Sequence, residues 1–301
     1  MSPRCNRETR LSPPLRSKPG RARLSLAKIP PGARAPAGRR GGKLRRFSGA
    51  GTNHRPSGAP GSRSRLGAAA EGRNTELRGG ARLEIPWSRE TIEAIWIATG
   101  GTLLAARLAL QEGRGFNIGG GFHHAFPAHG EGFCAINDVA IAIRVLQEEC
   151  AIVKAMVIDC DVHHGNGTAA IFAGDPSVYT LSLHQYNNYP SEKPASTVDI
   201  HLSDGVDDAE YLARLATAVE TAAEFQPDLI FYLAGADPYY DDQLGGLALT
   251  MDGLLRRDQL VLGLSTPVAV VLAGGYARAV EDTVTIHCNT VRAARSAKVD
   301  A

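Results

Sequence analysis

The five cysteines of this 301-residue chain, Cys5, Cys134, Cys150, Cys160 and Cys288, form no CxxC pair and no regular spacing. Neither a disulfide framework nor a thiolate zinc knuckle is readable from them, and a reducing, cytoplasmic compartment is expected. No unbroken apolar run reaches the roughly 18 residues that would signal a membrane helix, so a soluble protein without a membrane partner is expected. Acids are nearly missing from the first quarter, where residues 1–82 hold 20 Lys or Arg against Glu8, Glu71 and Glu76. The same stretch has one aromatic (Phe47), one isoleucine (Ile29) and no valine, but 13 Gly and 9 Pro. It cannot bury enough apolar surface to offset its conformational entropy, and it reads as a disordered basic tail. Arginine richness suggests a transit peptide, an export signal at Arg39-Arg40 or a nucleic-acid-binding arm. The Pro/Gly density opposes an amphipathic helix and Gly41–Arg45 is not an apolar stretch, so nucleic acid is only a weak suggestion as a partner.

The net charge of +2 therefore hides two unlike polymers, since beyond residue 82 there are 13 basic residues against 28 acids. From Leu83 the texture is that of a folded domain spanning 83–301. Ser88 stands where a helix N-cap would, ahead of the apolar-periodic positions Ile92, Ile95, Trp96 and 103–110. Helices are expected over 138–149, 208–225 and 253–262, and strands over 116–118, 155–162, 178–183, 229–234 and 268–272. Strands without polar alternation, separated by helices, imply a mainly parallel sheet covered on both faces, an α/β three-layer αβα fold. Ligands in such folds bind beyond the carboxyl ends of the strands.

The unusual polar residues stand at those ends. Asp159-Cys160-Asp161-Val162-His163 follows an apolar run, and two-residue alternation would place Asp159, Asp161 and His163 on one face. Asp237 sits in the same way after another strand, in Gly235-Ala236-Asp237-Pro238; alone it reads equally well as a turn residue. With Asp161 and His163 it would complete a two-carboxylate, one-imidazole set, which leaves positions for water and substrate on Zn²⁺ or Fe²⁺. Gly119-Gly120-Gly121 delivers His123 and His124 to a third strand end as acid/base candidates. Adjacent histidines on an extended chain point apart, so a shared role requires the backbone to turn there. Tyr276 follows Gly274-Gly275 at a fourth, where a hydroxyl can donate to a developing oxyanion.

Taken in order, these motifs, with Gly132-Phe133-Cys134-Ala135-Ile136-Asn137-Asp138 and Ser182-Leu183-His184, resemble the signature of the zinc-dependent histone deacetylase superfamily from Leu83 to Thr290. Gln243–Leu247 and Arg256-Arg257-Asp258 resemble its bacterial and class IV branch. The resemblance implies an arginase/deacetylase-like fold and hydrolysis of an acyl-amide. The substrate would be an acyl-lysine in a protein or peptide, or an acetylated polyamine-like amine. Asp161, His163 and Asp237 would hold Zn²⁺. His124 would be the general base, with His123 assisting, Asp159 and Asn166 orienting the two imidazoles, and Tyr276 donating to the oxyanion. Asp159, Ser182 and Leu183 would surround a structural monovalent cation, K⁺. Gly132 and Phe133, with Tyr189 opposite, would wall a narrow tunnel.

The sequence departs from the family at the start, because nothing in 1–82 resembles the strand-helix portion with which the family's domain begins. The expected fold therefore lacks amino-terminal strands and exposes a sheet edge. A competing reading follows, a truncated relative that binds metal or acyl-amine without turnover.

Overall fold

The structure, a computed structural model, describes residues 83–86 and 88–296. The basic tail, and the expectation that it is disordered, lies outside them. The elements in chain order are α1 (Arg89–Glu112), β1 (Arg114–Asn117), α2 (Asp138–Glu148), β2 (Ala155–Asp159), α3 (Asn166–Ile171), β3 (Val178–Gln185), β4 (Val198–Leu202), α4 (Asp208–Ala222), β5 (Leu229–Leu233), α5 (Met251–Leu262), β6 (Val268–Val271) and α6 (Val280–Ser296).

All pairings are parallel, in the order β1-β6-β5-β2-β3-β4. Composition explains the order. The inner strands β2 (AMVID), β5 (LIFYL) and β6 (VAVV) are buried at every position, as strands covered on both faces must be. The edge strands β1 (RGFN) and β4 (VDIHL) are only partly buried and carry polar side chains such as Arg114 and Asp199. Alternation then splits the core in two. Met156, Ile158, Ile230, Tyr232, Val268 and Val270 pack with Leu215 of α4, Val261 of α5 and Ile286 of α6. Val157, Phe231, Leu233 and Val271 pack with Ala106 and Ala109 of α1 and Ile143 and Leu146 of α2. The result is the expected three-layer sandwich.

Ser88 does cap α1, its hydroxyl accepting from the backbone N–H of Thr91 at 3.0 Å. On length and composition alone α1 could cross a membrane, with a mean hydropathy of 1.3 in its richest window. Its Ala105, Ala106 and Ala109 are buried in the fold, whereas Trp96, Ile97 and Leu104 are exposed. The edge strand β1 begins two residues before the expected 116–118, because Gly115 lets it lie against α1: a Cβ there would sit 1.9 Å from the Ala105 carbonyl oxygen. The strand expected over 155–162 stops at Asp159, and the helix expected to 225 closes with a 3₁₀ turn from Ala223.

Candidate active site

The segments after β1, β2, β3, β5 and β6 converge on one cavity of about 290 Å³ lined by His123, His124, Phe133, His163, Tyr189 and Tyr276, among others. At its base Asp161, His163 and Asp237 each offer one ligand atom, all within 4.8 Å of one another. Strand alternation is not what aligns them, since the chain leaves β2 at Asp159. A turn does so instead, in which the His163 backbone N–H and ring Nδ1 both lie 2.9 Å from Asp161 Oδ1. Asp159 turns away from that group to meet His123. Asp237 is fixed through Oδ1, which accepts from the Val162 N–H at 2.9 Å, while Oδ2 is buried and makes no hydrogen bond. An orphaned carboxylate oxygen among one imidazole and a second carboxylate fits a divalent cation, so these residues could hold a metal.

The electrostatics agree with that reading. Burial and the neighbouring Asp161 charge push Asp237 up to about 7. Burial also opposes ionisation of Asp161, but the His123 charge and the His163 bonds outweigh it and hold that carboxyl far below its usual range. His163 overcomes burial through its bond to Asp161 and the Asp237 carboxylate 3.4 Å away, and rises to about 10. Without a metal, the His163 ring, 2.9 Å from Asp161 and 3.4 Å from Asp237, supplies the positive charge that two carboxylates this close require. Burial and the same two carboxylates raise the Tyr276 phenol, which keeps it a proton donor.

Glycine backbone makes the histidine pair possible. Gly120 and Gly121 adopt φ of +79° and +85°, conformations closed to most side chains. The chain then turns, the His123 N–H donating to the Gly121 carbonyl at 2.8 Å. Both rings consequently face the cavity, with centroids 4.0 Å apart and Nε2 atoms 3.1 Å apart. His123 Nδ1 lies 2.7 Å from Asp159 Oδ2, and His124 Nδ1 lies 2.8 Å from Asn166 Oδ1. Burial would lower both imidazoles. In His123 the charges of Asp159 and Asp161 reverse this and lift it to about 9, whereas His124 stays well below the usual range, pushed further by the His123 charge. The two rings thus have unequal protonation.

Gly132 and Phe133, at φ +53° and +65°, bend the rim loop over His124. A Cβ on Gly132 would lie 2.6 Å from His124 Cδ2 and 2.9 Å from Tyr189 Cε1. Tyr189 stands edge-on to His124 at 4.9 Å, and the Phe133 ring is 6.2 Å from Tyr276. The residues expected around a monovalent cation also come together: Asp159 and Ser182 are register partners on β2 and β3, both buried, with Leu183 next along.

Four features were not readable as functional. Asp138 is a buried carboxylate that accepts from the Phe122 N–H at 2.8 Å, the Gly121 N–H and the Thr102 hydroxyl, and so ties down the glycine turn. Arg257 is fully buried; it donates at 2.6 Å to the Gly235 carbonyl, beside Asp237, and pairs with Asp258. Glu131 accepts from the Asn166 amide at 2.5 Å. His164, His184 and Asp199 form a second group of possible ligands. A loop acid such as Glu131 and a single arginine within α5 carry no periodic signal of function, and sequence motif Asn137-Asp138 alone could have pointed to the first.

The comparisons with known proteins follow the same line. The Histone deacetylase domain profile matches residues 60–291. An uncharacterized protein of Picosynechococcus sp. is 46% identical over 219 residues, 71% of this chain and 73% of that one. Histone deacetylase 2 of Arabidopsis thaliana is 37% identical over 197 residues, 62% of this chain, so the chain spans about half of that relative, 51%. Among solved structures, an acetylpolyamine aminohydrolase from Burkholderia pseudomallei superposes with a TM-score of 0.57 at 26% identity, over 66% of this chain and 61% of that one. With a family profile covering most of its length and the site residues gathered at one sheet edge, this chain belongs to the histone deacetylase family.

Proposed function

We propose that the chain is a zinc-dependent deacetylase that hydrolyses an acyl-amide, the substrate being an acetyl-lysine side chain or a small acetylated amine. The observation that carries this reading is the union, in one cavity, of the Asp161, His163 and Asp237 group with two histidines of unequal protonation. Its relatives include a histone deacetylase and a structural neighbour named acetylpolyamine aminohydrolase, which supports both substrate classes.

Asp161, His163 and Asp237 would hold Zn²⁺, or Fe²⁺ as the alternative, and the ion would polarise the amide carbonyl and make the attacking water more acidic. The remaining steps belong to the chain. His124, neutral and bonded at Nδ1 to Asn166, presents the Nε2 lone pair and takes a proton from the water. It returns that proton to the departing amine. His123, held cationic by Asp159, stays charged beside it and favours the negative charge that develops on the carbonyl oxygen. The Tyr276 hydroxyl donates to that same oxygen. Its loop is pinned by the Tyr276 N–H on Asp242 Oδ2 at 2.6 Å. Phe133 and Tyr189 flank the linear part of the substrate and keep water from the reacting centre. Asp159, Ser182 and Leu183 would hold K⁺ as a structural ion.

The test is hydrolysis of a fluorogenic acetyl-lysine peptide and of an acetylated polyamine by the purified chain, with and without added Zn²⁺, beside a His124→Ala control. Metal-dependent turnover that falls by about 10²-fold or more in the control is the expected result. A folded, zinc-loaded chain inert towards both substrates would show instead a relative that binds without turnover.

A further inference from the structure

We propose that Glu131 is a positioning residue that sets the tautomer of His124 through Asn166, with its kinetic consequence resting on the deacetylase reading above. The argument needs only donors and acceptors. The Gly167 backbone N–H donates to Asn166 Oδ1 at 3.0 Å, so that atom is the amide oxygen. The other end of the amide reaches Glu131 Oε1 at 2.5 Å, and a carboxylate accepts, so that atom is the NH₂. With Oδ1 fixed as an acceptor, the atom facing it at 2.8 Å, His124 Nδ1, must carry the hydrogen. Nε2 is thereby left without a hydrogen, the form a general base requires, and its lone pair faces His123 Nε2 3.1 Å away.

Glu131 is placed to do this by the rim loop. Its N–H and carbonyl close a tight turn with Cys134 at 3.1 and 2.9 Å, and its side chain, 19% exposed, also meets the Tyr189 hydroxyl at 3.1 Å and His129 Nε2 at 3.2 Å. The Gly167 N–H holds the oxygen end of the amide and the Glu131 carboxylate holds its NH₂ end, so the two together keep Oδ1 on the imidazole, and Glu131 adds a negative charge one group further out.

The test uses the full chain with ¹⁵N-labelled histidine, in which two-bond ¹H–¹⁵N spectra report the His124 tautomer directly. The wild type is expected to show hydrogen on Nδ1. Glu131→Ala is expected to mix the tautomers and to lower kcat on the acetyl-lysine peptide about tenfold or more, with KM within about twofold. Glu131→Gln, which keeps an acceptor for the amide, is expected to recover the Nδ1 hydrogen and most of kcat. A wild-type-like spectrum in Glu131→Ala, or a loss in KM alone, would overturn the proposal and make Glu131 a tunnel-wall support acting through Tyr189. A second pair decides the matter if the alanine variant fails to fold. Asn166→Asp sets two carboxylates against each other and should lose about tenfold in kcat, whereas adding Glu131→Gln to it should restore activity. Purely additive losses in that pair would sink the idea. If the wild type turns over no acyl-amine at all, the deacetylase reading fails, while the imidazole spectra still decide the role of Glu131.

Discussion

Two groups of histidines meet at the dipeptide His163-His164, and they differ in the charge packed around them. His123, His124 and His163 share the cavity with Asp159, Asp161 and Asp237. His164, His184 and His201 meet edge to face in sequence, with centroids 4.6 and 4.8 Å apart, and reach Asp199 through His164 Nε2 at 3.0 Å. In the first group carboxylates lift His123 to about 9 and His163 to about 10. In the second, burial and the neighbouring His164 depress His184 to about 3. The same side chain is made a cation or kept neutral by the number of carboxylates packed around it. A group rich in carboxylates has negative charge to give to a metal. In the other group His184 spends both nitrogens on hydrogen bonds, Nε2 on His201 Nδ1 at 2.9 Å and Nδ1 on the Ser182 hydroxyl at 3.0 Å, while His164 Nδ1 is buried without a partner.

The strongest way to break this contrast is Asp237→Ala. It removes the carboxylate whose Oδ2 lacks a partner and should abolish stoichiometric Zn²⁺ binding, measured by elemental analysis after dialysis. Hydrolysis should fall by about 10³-fold or more, as several kcal/mol of charge stabilisation are lost. Retention of one tightly bound zinc in this variant would move the metal to the second group.

Gly132→Ala tests the rim of the first group. The added methyl would press on both His124 and Tyr189 from a left-handed backbone position. A drop of about 10²-fold in kcat/KM is expected, since small misplacements of a catalytic group cost that much, with the zinc content unchanged. Full activity would mean that the loop yields more easily than its contacts suggest.

Much of this arrangement was legible in the sequence, and the reasons are physical. The inner strands are buried at every position, and Asp161, His163, Asp237 and Tyr276 each follow one, so burial and much of the chemistry were marked by the same boundaries. Three elements were not legible. The six-residue α3 is too short to show a helical period. β4 alternates in the manner of an edge strand inside a long polar stretch. α6 buries small or polar side chains such as Thr290, Ala293 and Ala294 while exposing Val280 and Val284, which inverts the usual pattern. Glu131 and Asp138 were illegible as site residues for a different reason. Each acts through hydrogen bonds to groups 35 and 17 residues away, respectively, and no local pattern encodes such a partner.

Asp199→Ala probes the second group. It leaves His164 and the Ser196 N–H without their acceptor, 3.0 and 2.9 Å away in the intact chain. A loss of about 1–3 kcal/mol in unfolding free energy is expected, with no change in zinc stoichiometry. Loss of a bound metal in this variant would contradict the division between the two groups.

The smallest effect sharpens the comparison through pH. His184 has a folded-state pKa of about 3 against an ordinary 6.5. Between those values the unfolded chain binds a proton at this ring that the native state excludes, so stability falls as pH drops through that window. His123 and His163 behave in the reverse sense: with pKa values of about 9 and 10 they favour the folded, metal-free chain fully below pH 6.5, and that contribution is lost as pH rises through their folded values. Comparing wild type with His184→Asn by thermal unfolding cancels the groups common to both. The wild-type midpoint should fall by a few degrees relative to the variant between pH 6.5 and 4, consistent with the shift that a kcal/mol produces in a domain of this size. Parallel curves would mean that His184 accepts a proton in place, and that the second group tolerates the charge which the first was built to hold.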